Sequence, residues 1–128
     1  MIEAQKSLDD LQRLVLQRCD EWFGQYPSAA AVYVFGSVAR GDYRPDSDVD
    51  IFVRVATPNS TAVEDFTKMH YDINSFTINL MRELNRTVSL HGMVVAQSDE
   101  AWPAIERASR APVASIGKAH LVPTPKKQ

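Results

Sequence analysis

From Asp48 to Val55 the chain alternates without a break. Val49, Ile51, Val53 and Val55 share one parity, and Asp48, Asp50, Phe52 and Arg54 share the other. Successive side chains on a strand point to opposite faces. The run therefore predicts a strand with one apolar face turned to a core. It also puts two carboxylates on a single face, their Cα atoms about 6.6 Å apart. Any fold built around this strand must bury the aliphatic face, and it must leave the aspartates at a surface or give them partners.

Elements on either side can be read from periodicity. Leu8, Leu11, Val15, Cys19 and Trp22 recur at three- and four-residue steps, which predicts a helix, with Ser7 and Asp10 as its capping box. Residues 30–35 are apolar, β-branched or aromatic and read as a buried strand that ends at Gly36-Ser37. Residues 38–43 suit a turn or two of helix, and Pro45-Asp46 a loop. Phe66, Met69, Ile73, Phe76, Leu80 and Leu84 mark a long helix reaching about Arg86. A strand over 88–96, a helix from Pro103 to about Arg110 and a short strand over 116–122 complete the chain. That order, helices interleaved with strands, predicts helices packed on one sheet and an α+β or α/β class.

The chain has 128 residues, which suits one domain over 1–122 with a flexible C-terminal tail over 123–128. Hydrophobic residues make up 45% and charged residues 23%, which excludes a disordered or fibrous chain. A single cysteine excludes an internal disulfide and a cysteine-based zinc site, and suits a reducing compartment. The first residues lack the apolar core of a signal peptide, no stretch approaches a bilayer span, and the expectation is a cytoplasmic protein. With a formal net charge of −2, direct nucleic-acid binding through bulk positive charge is not expected.

The residues that carry chemistry are Gly36 and Ser37, followed after ten residues by Asp48 and Asp50. A Gly-Ser turn that leaves a strand and opens a helix offers free backbone N–H groups and a hydroxyl to phosphate oxygens. Glycine also lets a ligand approach the backbone closely. Paired carboxylates suit a hard cation such as magnesium, which takes oxygen ligands. At roughly one in fifteen per fixed position, four such residues recur by chance about once in 50,000 windows, so the joint pattern is not an accident of composition. Together they read as a metal–nucleotide site.

The run Val34-Phe35-Gly36-Ser37-Val38-Ala39-Arg40-Gly41, then Ser47-Asp48-Val49-Asp50-Ile51, resembles the nucleotidyltransferase superfamily that includes DNA polymerase beta. It is most similar to the minimal members, short nucleotidyltransferases often encoded beside HEPN-domain toxins. The resemblance implies a small mixed sheet with flanking helices and transfer of a nucleoside monophosphate from a triphosphate. In the minimal members it implies AMP transfer from ATP onto a side chain of a HEPN-type toxin, whose activity is thereby neutralised, so that the chain would be an antitoxin. Carried onto this sequence, Gly36 and Ser37 would hold the β- and γ-phosphates. Asp48 and Asp50 would be the catalytic, metal-ligating pair of a two-metal magnesium site. Arg40 would either touch the triphosphate or serve structure.

Family members commonly add a third carboxylate on a later strand. The corresponding stretch here, residues 88–95, has no Asp or Glu, and Ser89 or His91 stands at the expected place. Asp72, Asp99 and Glu100 are the acids that a fold would have to bring in. A second reading therefore stays open, a catalytically degenerate domain that binds a toxin or a nucleotide without turnover.

Overall fold

A computed structural model describes residues 7–27, 29–55, 60–94 and 102–125. Its element order is α1 (Asp10–Phe23), β1 (Ala29–Phe35), α2 (Gly36–Arg40), β2 (Val49–Val55), α3 (Ser60–Leu84), β3 (Val88–Val94), α4 (Trp102–Ser109), β4 (Ala114–Ile116) and β5 (Ala119–Leu121). The five strands form one mixed sheet in the order β3-β2-β1-β5-β4. β1 runs antiparallel to β2 and parallel to β5. β2 and β3 are parallel, and β4 and β5 antiparallel. The α+β expectation is met by this small mixed sheet with flanking helices.

β1 lies at the centre and reads as an uninterrupted apolar run because both of its faces are covered. On one face, Val32 and Val34 join Val49, Ile51 and Val53 of β2. Val15, Leu16, Cys19 and Phe23 of α1 and Met69, Ile73, Phe76 and Leu80 of α3 close over them. On the other, Ala31, Tyr33 and Phe35 meet Phe52, Val122 and the α4 residues Trp102 and Ile105. The alternation over 48–55 is thus realised in full: its aliphatic parity lies under α1 and α3, and Phe52 lies under α4. Trp102 is core, and Trp22 stacks on Phe76 with ring centroids 4.9 Å apart.

Two local expectations are revised. α1 is capped by Asp9 and Gln12 rather than by Ser7 and Asp10: Gln12 N donates to Asp9 Oδ1 at 2.8 Å, and Asp9 N donates to Gln12 Oε1 at 3.2 Å. Gln12 wins because its side chain is also needed inside. It is buried, and its Nε2 donates to the Val38 carbonyl of α2 at 2.7 Å. The single C-terminal strand over 116–122 is in fact a hairpin, β4 and β5, turning at Gly117. Gly117 has φ +55°, and a Cβ there would collide with the Asp20 carboxylate of α1. That carboxylate accepts from Lys118 N at 2.9 Å and so anchors the turn.

Beyond Val122, Thr124 is buried and its carbonyl accepts from Arg40 Nη1 at 3.0 Å, so contact with the body continues past the boundary drawn from composition. Among the described residues no helix is long and apolar enough to cross a membrane. An exposed ion pair joins α1 to α3, with Arg18 donating to both Glu83 oxygens at 2.9 Å.

Cys19 is fully buried, and burial, with a smaller contribution from the neighbouring Asp20 charge, pushes its thiol well above the ordinary range. Iodoacetamide at pH 8.5 is expected to alkylate it about two orders of magnitude or more slowly in the folded chain than in urea. Equal rates in the two states, followed by mass spectrometry, would contradict this packing.

Candidate active site

The site begins where β1 becomes α2. Phe35 is extended, Gly36 has φ +75°, and the helix starts at once. The antiparallel register places Phe35 opposite Asp50. That register brings the turn onto the Asp50 carboxylate. A Cβ at Gly36 would collide with Asp50 Oδ2. Glycine is therefore required twice, for its dihedral and for this approach. Ser37 follows in the first turn of α2, where backbone N–H groups have no intrahelical partner.

Asp48 is exposed and stands one residue before β2, while Asp50 lies within it and is partly buried. Each carboxylate has one oxygen engaged by β3. Ser89 Oγ donates to Asp48 Oδ2 at 3.2 Å, and His91 Nε2 lies 2.9 Å from Asp50 Oδ1. An ionised carboxylate only accepts, so Nε2 carries the hydrogen in that contact. The imidazole packs edge-on against Phe35, with centroids 4.9 Å apart. Both residues left open for the third position therefore reach the aspartate pair.

Of the other acids, Asp72 does not join them. Asp72 of α3 lies in a groove with Trp22 and Phe76 and accepts from Tyr26 OH at 3.2 Å, among the α1 and α3 residues that cover the opposite face of the sheet. Asp99 and Glu100 lie outside the described residues. Arg40, at the far end of α2 from Gly36, pairs with Asp42 at 3.2 Å and reaches the Thr124 carbonyl, so its visible contacts are structural. His120 bonds to Ser115 Oγ at 2.7 Å, and its imidazole is held below the usual range by burial and then by the charge of Arg54.

Arg86 was not singled out by any sequence pattern. Its Nη1 donates to the carbonyls of Arg44 and Ser47 at 3.1 and 3.0 Å, and its guanidinium lies over the Tyr43 ring, 5.2 Å from the centroid. It thus clamps the loop that delivers Asp48. Charged donors to backbone carbonyls leave no mark in sequence, because the acceptors exist at every residue.

Chemically, the arrangement offers two carboxylates near a glycine turn whose N–H groups have no intrahelical partner. Magnesium is commonly held by one or two carboxylates, with phosphate oxygens and water completing its octahedron. Asp48 and Asp50 supply oxygen donors of the kind such an ion takes, and the Gly36 turn stands against Asp50. Among the described residues no group of three His, Cys, Asp or Glu side chains is arranged to hold a metal.

A family described as "Nucleotidyltransferase domain" matches residues 13–109, about three-quarters of the chain. No curated protein and no solved structure matches it.

Two substitutions test this geometry. Gly36→Ala forces a left-handed residue against Asp50, and a loss of about 1–3 kcal/mol in urea denaturation is expected. Unchanged stability would mean that the turn is not as tight as described. Arg86→Ala removes two charged hydrogen bonds, for a loss of about 2 kcal/mol. Hydrogen exchange should rise over residues 44–49 more than in β1, and uniform exchange would deny the clamp.

Proposed function

The chain belongs to the nucleotidyltransferase-domain family, and from that premise we propose that it transfers AMP from ATP onto a hydroxyl of a protein partner. The observation that carries the transfer is the meeting of Gly36 with Asp50, two residues from Asp48. In this reading the Gly36-Ser37 turn cradles the β- and γ-phosphates, and Asp48 and Asp50 hold magnesium, as their hard oxygen donors favour. Once bound, the ion neutralises charge on the triphosphate and on the departing pyrophosphate. The acceptor oxygen bonds to the α-phosphorus, and the bond from that phosphorus to the bridging oxygen breaks. Pyrophosphate leaves with the electron pair, and the hydroxyl proton passes to water. The protein's part is orientation: β1 and β2 pair in regular register from Ala31 and Arg54 to Phe35 and Asp50 and are core-backed, so the turn and the Asp50 carboxylate are preset against each other.

Exposure supports an acceptor on another macromolecule. Asp48 and His91 are both open to solvent, so a side chain of a partner can reach them. The partner class, a HEPN-type toxin silenced by the modification, rests on the resemblance of the run around Gly36 and Asp50 alone, and so does the antitoxin role. One observation favours a second reading. β3 presents Ser89 and His91 where an acid is expected, which suits a domain that binds nucleotide or toxin without turnover.

Labelled ATP separates the two. With magnesium and a co-expressed partner, the protein is expected to move α-phosphate label onto that partner. Changing both Asp48 and Asp50 to Ala should cut labelling by at least about 100-fold while the fold is kept. Equal labelling by the double variant would overturn the site assignment. Binding and inhibition of the partner with no label at all would establish the second reading.

A further inference from the structure

β3 departs from regular pairing at one residue. Asp50 is in register with Ser89 and Ile51 with Leu90, but Phe52 pairs with Gly92. His91 is the extra residue of a bulge. Bulges re-aim side chains and gather beside active sites. Here the re-aimed imidazole is backed by Phe35 and bonded to Asp50 Oδ1, while Asp50 Oδ2 is the oxygen turned to Gly36. Ser89 treats Asp48 in the same way, through Oδ2. Among the described residues, each polar contact that β3 makes with the pair is thus a donor to a carboxylate oxygen, and none adds an anionic ligand.

Two hard cations side by side call for more carboxylate than two aspartates supply, and among the described residues no third acid stands beside them. A single cation needs only one or two carboxylates plus phosphate and water. Resting on the nucleotide-binding reading above, we propose that β3 positions the aspartate pair instead of ligating. The site then takes one divalent cation together with the triphosphate, and not two. His91 and Ser89 are positioning residues. They hold each carboxylate so that its other oxygen faces the cation, as hydrogen-bonding partners of metal ligands do elsewhere.

The experiment counts metal. The full chain is saturated with an ATP analogue carrying an α,β-methylene bridge, and bound manganese is measured against bound analogue by equilibrium dialysis and electron paramagnetic resonance. One manganese per bound nucleotide is expected for the wild type, and two for His91→Asp, which installs the missing acid. His91→Ala should weaken the one cation by about 10- to 100-fold. His91→Gln, which keeps a donor, should recover most of that. Two manganese ions per nucleotide in the wild type would overturn the proposal even if no variant folds. An unchanged affinity in a folded His91→Ala would overturn the positioning role. Failure to bind the analogue with any manganese would instead sink the nucleotide-binding reading itself, a result distinct from the other two.

Discussion

The site depends on one close approach, that of the Gly36 backbone to the Asp50 carboxylate. It is not a local accident of the turn. It follows from the pairing of β1 with β2, which sets Phe35 opposite Asp50 at the very end of the ladder. Two consecutive strands, with α2 and a loop between them, are thus locked together by backbone hydrogen bonds, and the buried valines beneath them hold the pairing. Any side chain at residue 36 would have to displace either the strand or the carboxylate.

Keeping two carboxylates on one strand has an electrostatic cost that can be bounded. Two unit charges about 7 Å apart repel by about 0.6 kcal/mol at the dielectric of water and by about 2.4 kcal/mol at an effective dielectric of 20. A hydrogen bond to a charged group contributes about 1.5–3 kcal/mol, less where solvent competes. The donors from Ser89 and His91 are thus of the right size to offset the repulsion, one for each carboxylate. A third acid on β3 would have added to that repulsion and relied on metal to relieve it.

Much of this was legible in the sequence because it rests on period and spacing. The alternation over 48–55 predicted both faces of β2, and the spacing of Gly36 to the aspartates pointed to the meeting of Gly36 with Asp50. What was not legible rests on long-range or backbone contacts. The β4–β5 hairpin needs Gly117 against Asp20, residues almost a hundred apart. The cap of α1 went to Asp9 because Gln12 is held inside by Val38, which no local pattern reveals. The hydrogen bonds of Arg86 go to backbone carbonyls. At the third position the sequence left Ser89 and His91 as alternatives. The bulge lets both reach the pair, and a bulge has no sequence signature here.

The strand that carries the aspartates also carries the core, and this couples the two. Val49 and Ile51 flank Asp50 and are almost fully buried. A slip of β2 by one residue would turn every side chain to the other face. Asp50 would enter the apolar layer under α1 and α3, and the aliphatic residues would emerge beside Gly36. Burying a carboxylate without a partner costs several kcal/mol, and exposing Val or Ile forfeits about 1.5–3 kcal/mol for each. Such a sum is comparable to the whole stability of a small domain. A one-residue slip is therefore strongly disfavoured, and the same alternation that builds the core turns Asp50 to the face that meets Gly36.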